Sequence, residues 1–293
     1  MATELTSEPL ARLLSGEGAA VQPGCLHLIA TPIGNLSDIS LRACRWLVDV
    51  DHLYCEDTRV SQKLLSALGI RRQLVSLHEH NEAKRSEQIV AQLAQGESVG
   101  LVSDAGTPVL SDPGARLVAA VRAAGHPVTT APGASAPTAA LISSGLPVIP
   151  STFLGFAPRK AGALATLLKP FLAAPGTLIL FESPKRVSGL IERLGELAPD
   201  RPLVVARELT KRFETYHVGS TSEPPELPER GEMVVMIGPP SAVAELAGEA
   251  LDAAIDGLLA QGLRAKEVAK ALAAQADRRT VYRRCVERLA CED

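Results

Sequence analysis

The feature that most constrains this chain is an alternation, from residue 25 to residue 144, of short apolar runs with longer amphipathic ones. CLHLIA (25–30), LYCE (53–56), QLVSL (73–77), SVGLV (98–102) and PVTTA (127–131) read as strands. Helical spacing follows each: near Ser40 to Val50, Val60 to Leu68, Ala83 to Gln95, 115–124, and an Ala-rich stretch ending at Ser144. Strands and helices alternating at this interval predict βαβ units and a mostly parallel sheet.

The stretch LPVIPSTFLGFAPRK (146–160) breaks the rhythm with three prolines and reads as an interdomain linker. A second alternation follows: TLILF (177–181), a helix within Val187 to Leu197, LVVAR (203–207) and MVVMIG (233–238). The last two are joined by a polar stretch that suits a hairpin or loop. From Ser241 the chain turns helical. Gly262 stops one helix; AKEVAKALAA and TVYRRCVERL, separated by QADRR, read as a helix-turn-helix-like pair. The expected organisation is a flexible tail over 1–23, an N-terminal α/β domain over 24–145, a C-terminal α/β domain over 146–240 and a helical extension over 241–293.

No apolar run approaches the roughly 18 residues of a membrane span, and the acidic N-terminus lacks the basic start and apolar core of a signal peptide. The five cysteines are an odd set without CxxC spacing, which suits reduced thiols in a cytoplasmic protein better than disulfides or zinc; no metal site is expected. Aromatics at 3% argue against a base-stacking surface, and a net charge of −3 argues against gripping nucleic acid by overall charge.

Ligands of open α/β sheets bind beyond the carboxyl ends of the strands. Here those ends are TPIGN, CEDTR, HEHNE, SDAGTP and PGASAPT, all polar or conformationally special, while the opposite loops are plainer. TPIGN is not GxGxxG, so a dinucleotide site is not expected even though Asp57 stands about 20 residues on. In CEDTR, Glu56, Asp57 and Arg59 suit a surface ion pair and helix cap, or else a general base and a phosphate ligand. His78 and His80 of HEHNE lack metal-ligand spacing and fit a polar, substrate-facing loop. In VSDAGTPVLSDPG, Asp104 ends a strand, and Gly106-Thr107-Pro108 forces a turn that exposes peptide groups to a ligand. Asp112 reads as a cap for the helix that follows. A carboxylate beside exposed backbone suits a ligand with an amino group and hydroxyls, and would repel a polyphosphate.

LIATPIGNLSDISLRA, YCEDTR, HEHNE, VSDAGTPVLSDPG, APGASAPTAAL, FESPKR and RELTKRFE, in that order, resemble the signatures of the ribosomal RNA small subunit methyltransferase I family. These are S-adenosylmethionine-dependent enzymes of the tetrapyrrole methylase superfamily. The resemblance runs from about Cys25 to Pro239, with the C-terminal helices matching a small extension. It implies two α/β domains of the tetrapyrrole methylase type with a ligand cleft between them, a homodimer, and methylation of the ribose 2′-OH of a decoding-centre cytidine in 16S rRNA of the small ribosomal subunit. Carried over by position, cofactor contacts fall to Thr31, Pro32, Asp104, Ala105, Gly106, Thr107, Ser135 and Ala136, with Phe181 and Ala206 from the second domain.

For the catalytic base the candidates are Glu56, Asp57 and His78, with Glu56 favoured. Arg59, Lys185 and Arg186 are candidates for holding RNA phosphates, as are Arg283 and Arg284 in the densest basic run of the chain. Two other readings remain open at this point: a tetrapyrrole or diphthine methyltransferase of the same superfamily, and a nucleotide-sensing helix-turn-helix regulator.

Overall fold

The computed structural model describes residues 20–240, 248–272 and 276–289. Residues to Gly238 cluster as one compact unit and those from Pro239 as another. Expectations for residues 1–19, for the start of the helical region at 241–247, and for Cys291 lie outside the described residues.

The first sheet contains β1 (Leu26–Ile29), β2 (His52–Cys55), β3 (Leu74–Ser76), β4 (Val99–Val102) and β5 (Val128–Ala131), in the order β3-β2-β4-β1-β5. Every pairing is parallel, as βαβ connections require. The helices are α1 (Leu41–Asp49), α2 (Thr58–Ala67), α3 (Glu82–Ala94), α4 (Ala115–Ala123) and α5 (Ala136–Ser143). One core packs Ala43, Trp46 and Leu47 of α1 and Leu65 of α2 on Ile29, Leu53 and Val102. The other packs Ile89 and Leu93 of α3 and Leu117 and Val121 of α4 on Leu26, Tyr54 and Leu101. Strands buried on both faces read as continuous apolar runs, which is why the sequence marks them so clearly. The end of the expected tail is not loose: Val21 packs on the first core, and the Gln22 N–H donates to His27 Nε2 at 3.2 Å.

The second sheet holds two strands that sequence reading missed. Its order is β6-β7-β10-β8-β9, from β6 (Ser151–Phe156), β7 (Thr177–Glu182), β8 (Pro202–Arg207), β9 (Thr215–Ser220) and β10 (Met233–Ile237). The expected linker at 146–160 therefore contains an edge strand parallel to β7. Its prolines flank the strand instead of interrupting it, so no ladder hydrogen bond is lost. The strand β9 hides in the polar stretch after β8, because an exposed edge strand does not need an apolar pattern.

Side chains of the second sheet alternate with period two. Leu178, Leu180, Leu203, Val205, Val235 and Ile237 face α6 (Ala161–Leu168) and α7 (Val187–Leu197). Ile179, Val204, Ala206, Val234 and Met236 face Ile33 and the α5 residues Ala140 and Leu141. The last helix of the first half thus covers one face of the second sheet.

The C-terminal unit consists of α8 (Gly248–Ala260), α9 (Ala265–Ala271) and α10 (Arg278–Leu289). Leu251, Ile255, Val268, Ala269, Leu272, Val281 and Cys285 form its core. Among the described residues no helix is long and apolar enough to cross a membrane.

Candidate functional site

Because the first sheet is wholly parallel, its five polar loops meet along one edge, and they are cross-linked there. Thr31 and Gly106 form an antiparallel bridge, with N···O distances of 2.8 and 3.0 Å. The Thr31 hydroxyl donates to the Ser103 carbonyl at 3.2 Å, and the Thr107 hydroxyl to the Ala134 carbonyl at 3.0 Å. The turn at Gly106 does not leave its own peptide groups open to a ligand, as the sequence suggested: both are used to bind the β1 loop. Gly106 sits at φ 83°, and a Cβ there would lie 3.0 Å from Ile33, so both conformation and space favour glycine.

Carboxylates crowd the same edge. Asp104 accepts the Asp57 N–H at 3.0 Å, tying the β4 loop to the β2 loop. Asp57 is the N-cap of α2: its carboxylate accepts the Arg59 N–H at 2.8 Å and pairs with the Arg59 guanidinium at 2.5 Å. Those bonds hold the Asp57 carboxyl down to about 2, which makes it a weak base. Glu56 and Asp104 move the other way, raised first by burial and then by neighbouring carboxylates. Of the three base candidates Glu56 is the carboxylate without a capping task. His78 lies close enough to favour Glu56 in its charged form. His78 Nε2 lies 3.1 Å from the Asn81 amide nitrogen, and His78 Nδ1 is buried without a partner.

The HEHNE loop is more structural than its polarity suggested. The His78 N–H donates to Asn81 Oδ1 at 2.9 Å in a local turn. Glu82, buried, accepts from the Gly114, Arg116 and Leu117 N–H groups at 3.0, 3.0 and 3.3 Å. It caps α4 from the first residue of α3, a role the sequence reading gave to Asp112.

Asp112 instead points into the acid cluster. Burial first, then Glu56 and Asp104, push its carboxyl up to about 7. A carboxyl raised from 3.8 is protonated in both folded and unfolded chains below pH 4. Between pH 4 and 7 the unfolded chain gives up this proton while the folded chain keeps it, so stability falls across that window and the loss is complete above 7. Asp112→Asn removes that loss. Urea unfolding is expected to show the variant roughly 1–2 kcal/mol more stable than wild type at pH 8, after allowance for solvent screening, and nearly equal at about pH 3.5. A stability difference that does not vary with pH would refute this placement.

The residues assigned to a cofactor fall into two groups. Thr31, Pro32, Asp104, Ala105, Gly106 and Thr107 line the edge, with Ser135 just before α5 and Ala136 opening it. Ala136 and Phe181 are half-buried around the apolar face that holds Ile33 and Ala206. Ala206 is fully buried and paired on both sides, to Val234 and Tyr216. The loop after β8 closes on the β1 loop: a Cβ on Gly34 would lie 2.5 Å from the Lys211 side chain and 3.0 Å from Thr210 Oγ1. Thr210 holds φ 64°, and its hydroxyl is buried without a partner. An orphaned hydroxyl, half-buried apolar side chains and the Asp104 carboxylate suit an adenosyl ligand that carries an amino group and hydroxyls.

Of the expected phosphate ligands, several already have partners. Arg59 is held by Asp57, and Arg186 by Glu182 at 2.6 Å and by the Ala157 carbonyl at 2.6 Å. Arg284 pairs with Asp252 at 2.6 Å inside the helical unit, so it packs α10 on α8. Lys185 and Arg283 remain exposed. Among the described residues no cluster of His, Cys, Asp and Glu is arranged as a metal-ligand set.

Residues 25–225 match the family Tetrapyrrole (Corrin/Porphyrin) Methylases. A Mesorhizobium japonicum protein named ribosomal RNA small subunit methyltransferase I is 43% identical over 275 residues, covering 89% of this chain and 91% of that protein. Same-named proteins of Neisseria meningitidis serogroup B and Escherichia coli O157:H7 are 43% and 40% identical, covering 75% and 73% of this chain and 78% and 77% of their own lengths. The fold is shared with solved structures at low identity. Uroporphyrin-III-C-methyltransferase from Thermus thermophilus aligns with a TM-score of 0.50 at 22% identity, covering 73% of this chain and 94% of that one. A diphthine synthase aligns with a TM-score of 0.54 at 17% identity, covering 73% and 90%. On sequence, motif order and sheet topology together, the chain belongs to the tetrapyrrole methylase family, in its ribosomal RNA small subunit methyltransferase I branch.

Proposed function

We propose that this protein is an S-adenosylmethionine-dependent methyltransferase that methylates the ribose 2′-OH of a decoding-centre cytidine in 16S rRNA, acting on the small ribosomal subunit as a cytoplasmic homodimer. The observation that carries the reading is the similarity, along nearly the whole chain, to proteins of that name. Chemistry at the sheet edge supports it, with carboxylates of opposed ionisation gathered beside half-buried apolar surface.

Bound S-adenosylmethionine would supply a methyl group already activated by a sulfonium. The Asp104 carboxylate and the edge backbone would orient it, and alignment of this kind contributes up to roughly 7–11 kcal/mol. Glu56 would take the proton from the ribose 2′-OH as the oxygen bonds to the methyl carbon and the carbon–sulfur bond breaks. Losing the methyl group would leave that sulfur an uncharged thioether, so the leaving side would need little help from the protein. Of the groups around Glu56, His78 is the one that favours the charged carboxylate, against burial and the Asp104 and Asp57 carboxylates that raise it.

Incubation with tritiated S-adenosylmethionine and small subunits lacking the modification tests the reading. Label at a 2′-O-methylcytidine of 16S rRNA is expected. Label on a tetrapyrrole or diphthine precursor and none on RNA would favour a sister enzyme, and no transfer to any of these would favour a regulator.

A further inference from the structure

Phenylalanine is scarce here, five residues in 293, yet three stand side by side on β6 and β7. Phe153 and Phe181 meet edge-to-face at 4.8 Å between ring centres, and Phe156 and Phe181 at 5.3 Å. Phe153 and Phe181 pack on the apolar face that holds Ile33 and α5, whereas Phe156 is 64% exposed. Simple alternation would send residues 153 and 156 to opposite faces of the sheet. A register shift between them brings both rings to one face. Gly155, in the shifted segment, holds φ 71°, and a Cβ there would lie 3.3 Å from Ser111 Oγ. The end of β6 therefore abuts the β4–α4 loop, one residue from Asp112.

Arg159 and Lys160 follow the exposed ring by three and four residues in the loop after β6. The loop after β6 is tied to the loop after β7 by the Arg186 bond to the Ala157 carbonyl, and Arg193 donates to the Arg159 carbonyl at 3.1 Å. Arg159, Lys160 and Lys185 are exposed, and among the described residues no carboxylate pairs with their side chains. An apolar peptide would want apolar neighbours around the ring. A flat aromatic face beside unpaired cations is the chemistry that recognises an unpaired nucleotide, by stacking and phosphate contact.

We propose that Phe156 stacks on an unpaired base of the RNA substrate, at or next to the methylated nucleotide, with Arg159, Lys160 and Lys185 against the flanking phosphates. This rests on the reading of the protein as an RNA methyltransferase.

The test measures kcat/KM on unmodified small subunits for Phe156→Leu and Phe156→Trp, together with S-adenosylmethionine affinity and sedimentation. Leucine keeps an apolar side chain but has no π face. Its kcat/KM is expected to fall about 5- to 100-fold, mostly through KM, while tryptophan restores the wild-type value. Cofactor affinity stays unchanged. Equal activity in the leucine variant overturns the proposal. So does a loss that tryptophan fails to restore, or a change in sedimentation, which would assign the ring to an interface between copies. Failure of the wild type itself to label RNA would instead overturn the functional reading.

Discussion

Glu56→Gln is expected to lower methyl transfer at saturating substrate by roughly 10²–10⁴-fold, with S-adenosylmethionine affinity nearly unchanged. The amide keeps the size and polarity of the carboxylate but cannot accept the proton of a ribose hydroxyl. Burial and the Asp104 and Asp57 carboxylates raise the Glu56 carboxyl, which strengthens it as a base, whereas Asp57 is held near 2 by Arg59. The wild-type rate should fall on the acid side as Glu56 becomes protonated, and the variant should lack that limb. If the variant matches wild type at saturation, the base is elsewhere, and Asp112, pushed up to about 7 beside Glu56, is the next group to replace.

Glu82→Leu is expected to destabilise the protein by about 3 kcal/mol. The carboxylate satisfies three N–H groups at the start of α4, two of them on the buried residues Gly114 and Leu117. Losing a helix cap costs about 0.5–2 kcal/mol, and each buried donor left without a partner adds about 1–3 kcal/mol when no water reaches it. At roughly 2–4 °C per kcal/mol, the melting temperature should drop by about 6–12 °C. Glu82→Gln retains an acceptor oxygen and should lose only part of this. A melting temperature within about 1 °C of wild type in the leucine variant would show that water replaces the carboxylate. Because α4 follows the site loop, the leucine variant should also loosen Asp112 and lower activity, with KM and kcat changing together.

Much of the fold was legible because its strands are buried on both faces. Continuous runs such as VGLV and VVMI cannot be solvated, and the spacing between them leaves room for crossover helices. The five polar loops were legible for a related reason: parallel strands put all their carboxyl ends on one edge, so the site's position follows from connectivity alone. Edge strands were not legible. β6 and β9 carry exposed or polar positions, and their identity depends on the partner that supplies the ladder.

Residue roles within the edge were decided only in three dimensions. Sequence places Glu56, Asp57, Asp104 and Asp112 on two loops without saying which carboxylate meets a cation, a peptide N–H or another acid. Folding gives Asp57 its arginine, gives Asp104 the Asp57 N–H, and leaves Asp112 among like charges. The α4 cap comes from Glu82, 32 residues before Gly114, a pairing no local pattern encodes. Basic residues followed the same rule: Arg284, from the densest basic run, and Arg186 both end in ion pairs, while Lys185 and Arg283 are left exposed. Chain connectivity and burial are written in the order of residues. Ionisation and contact depend on distances across the fold, and those exist only once distant segments have packed.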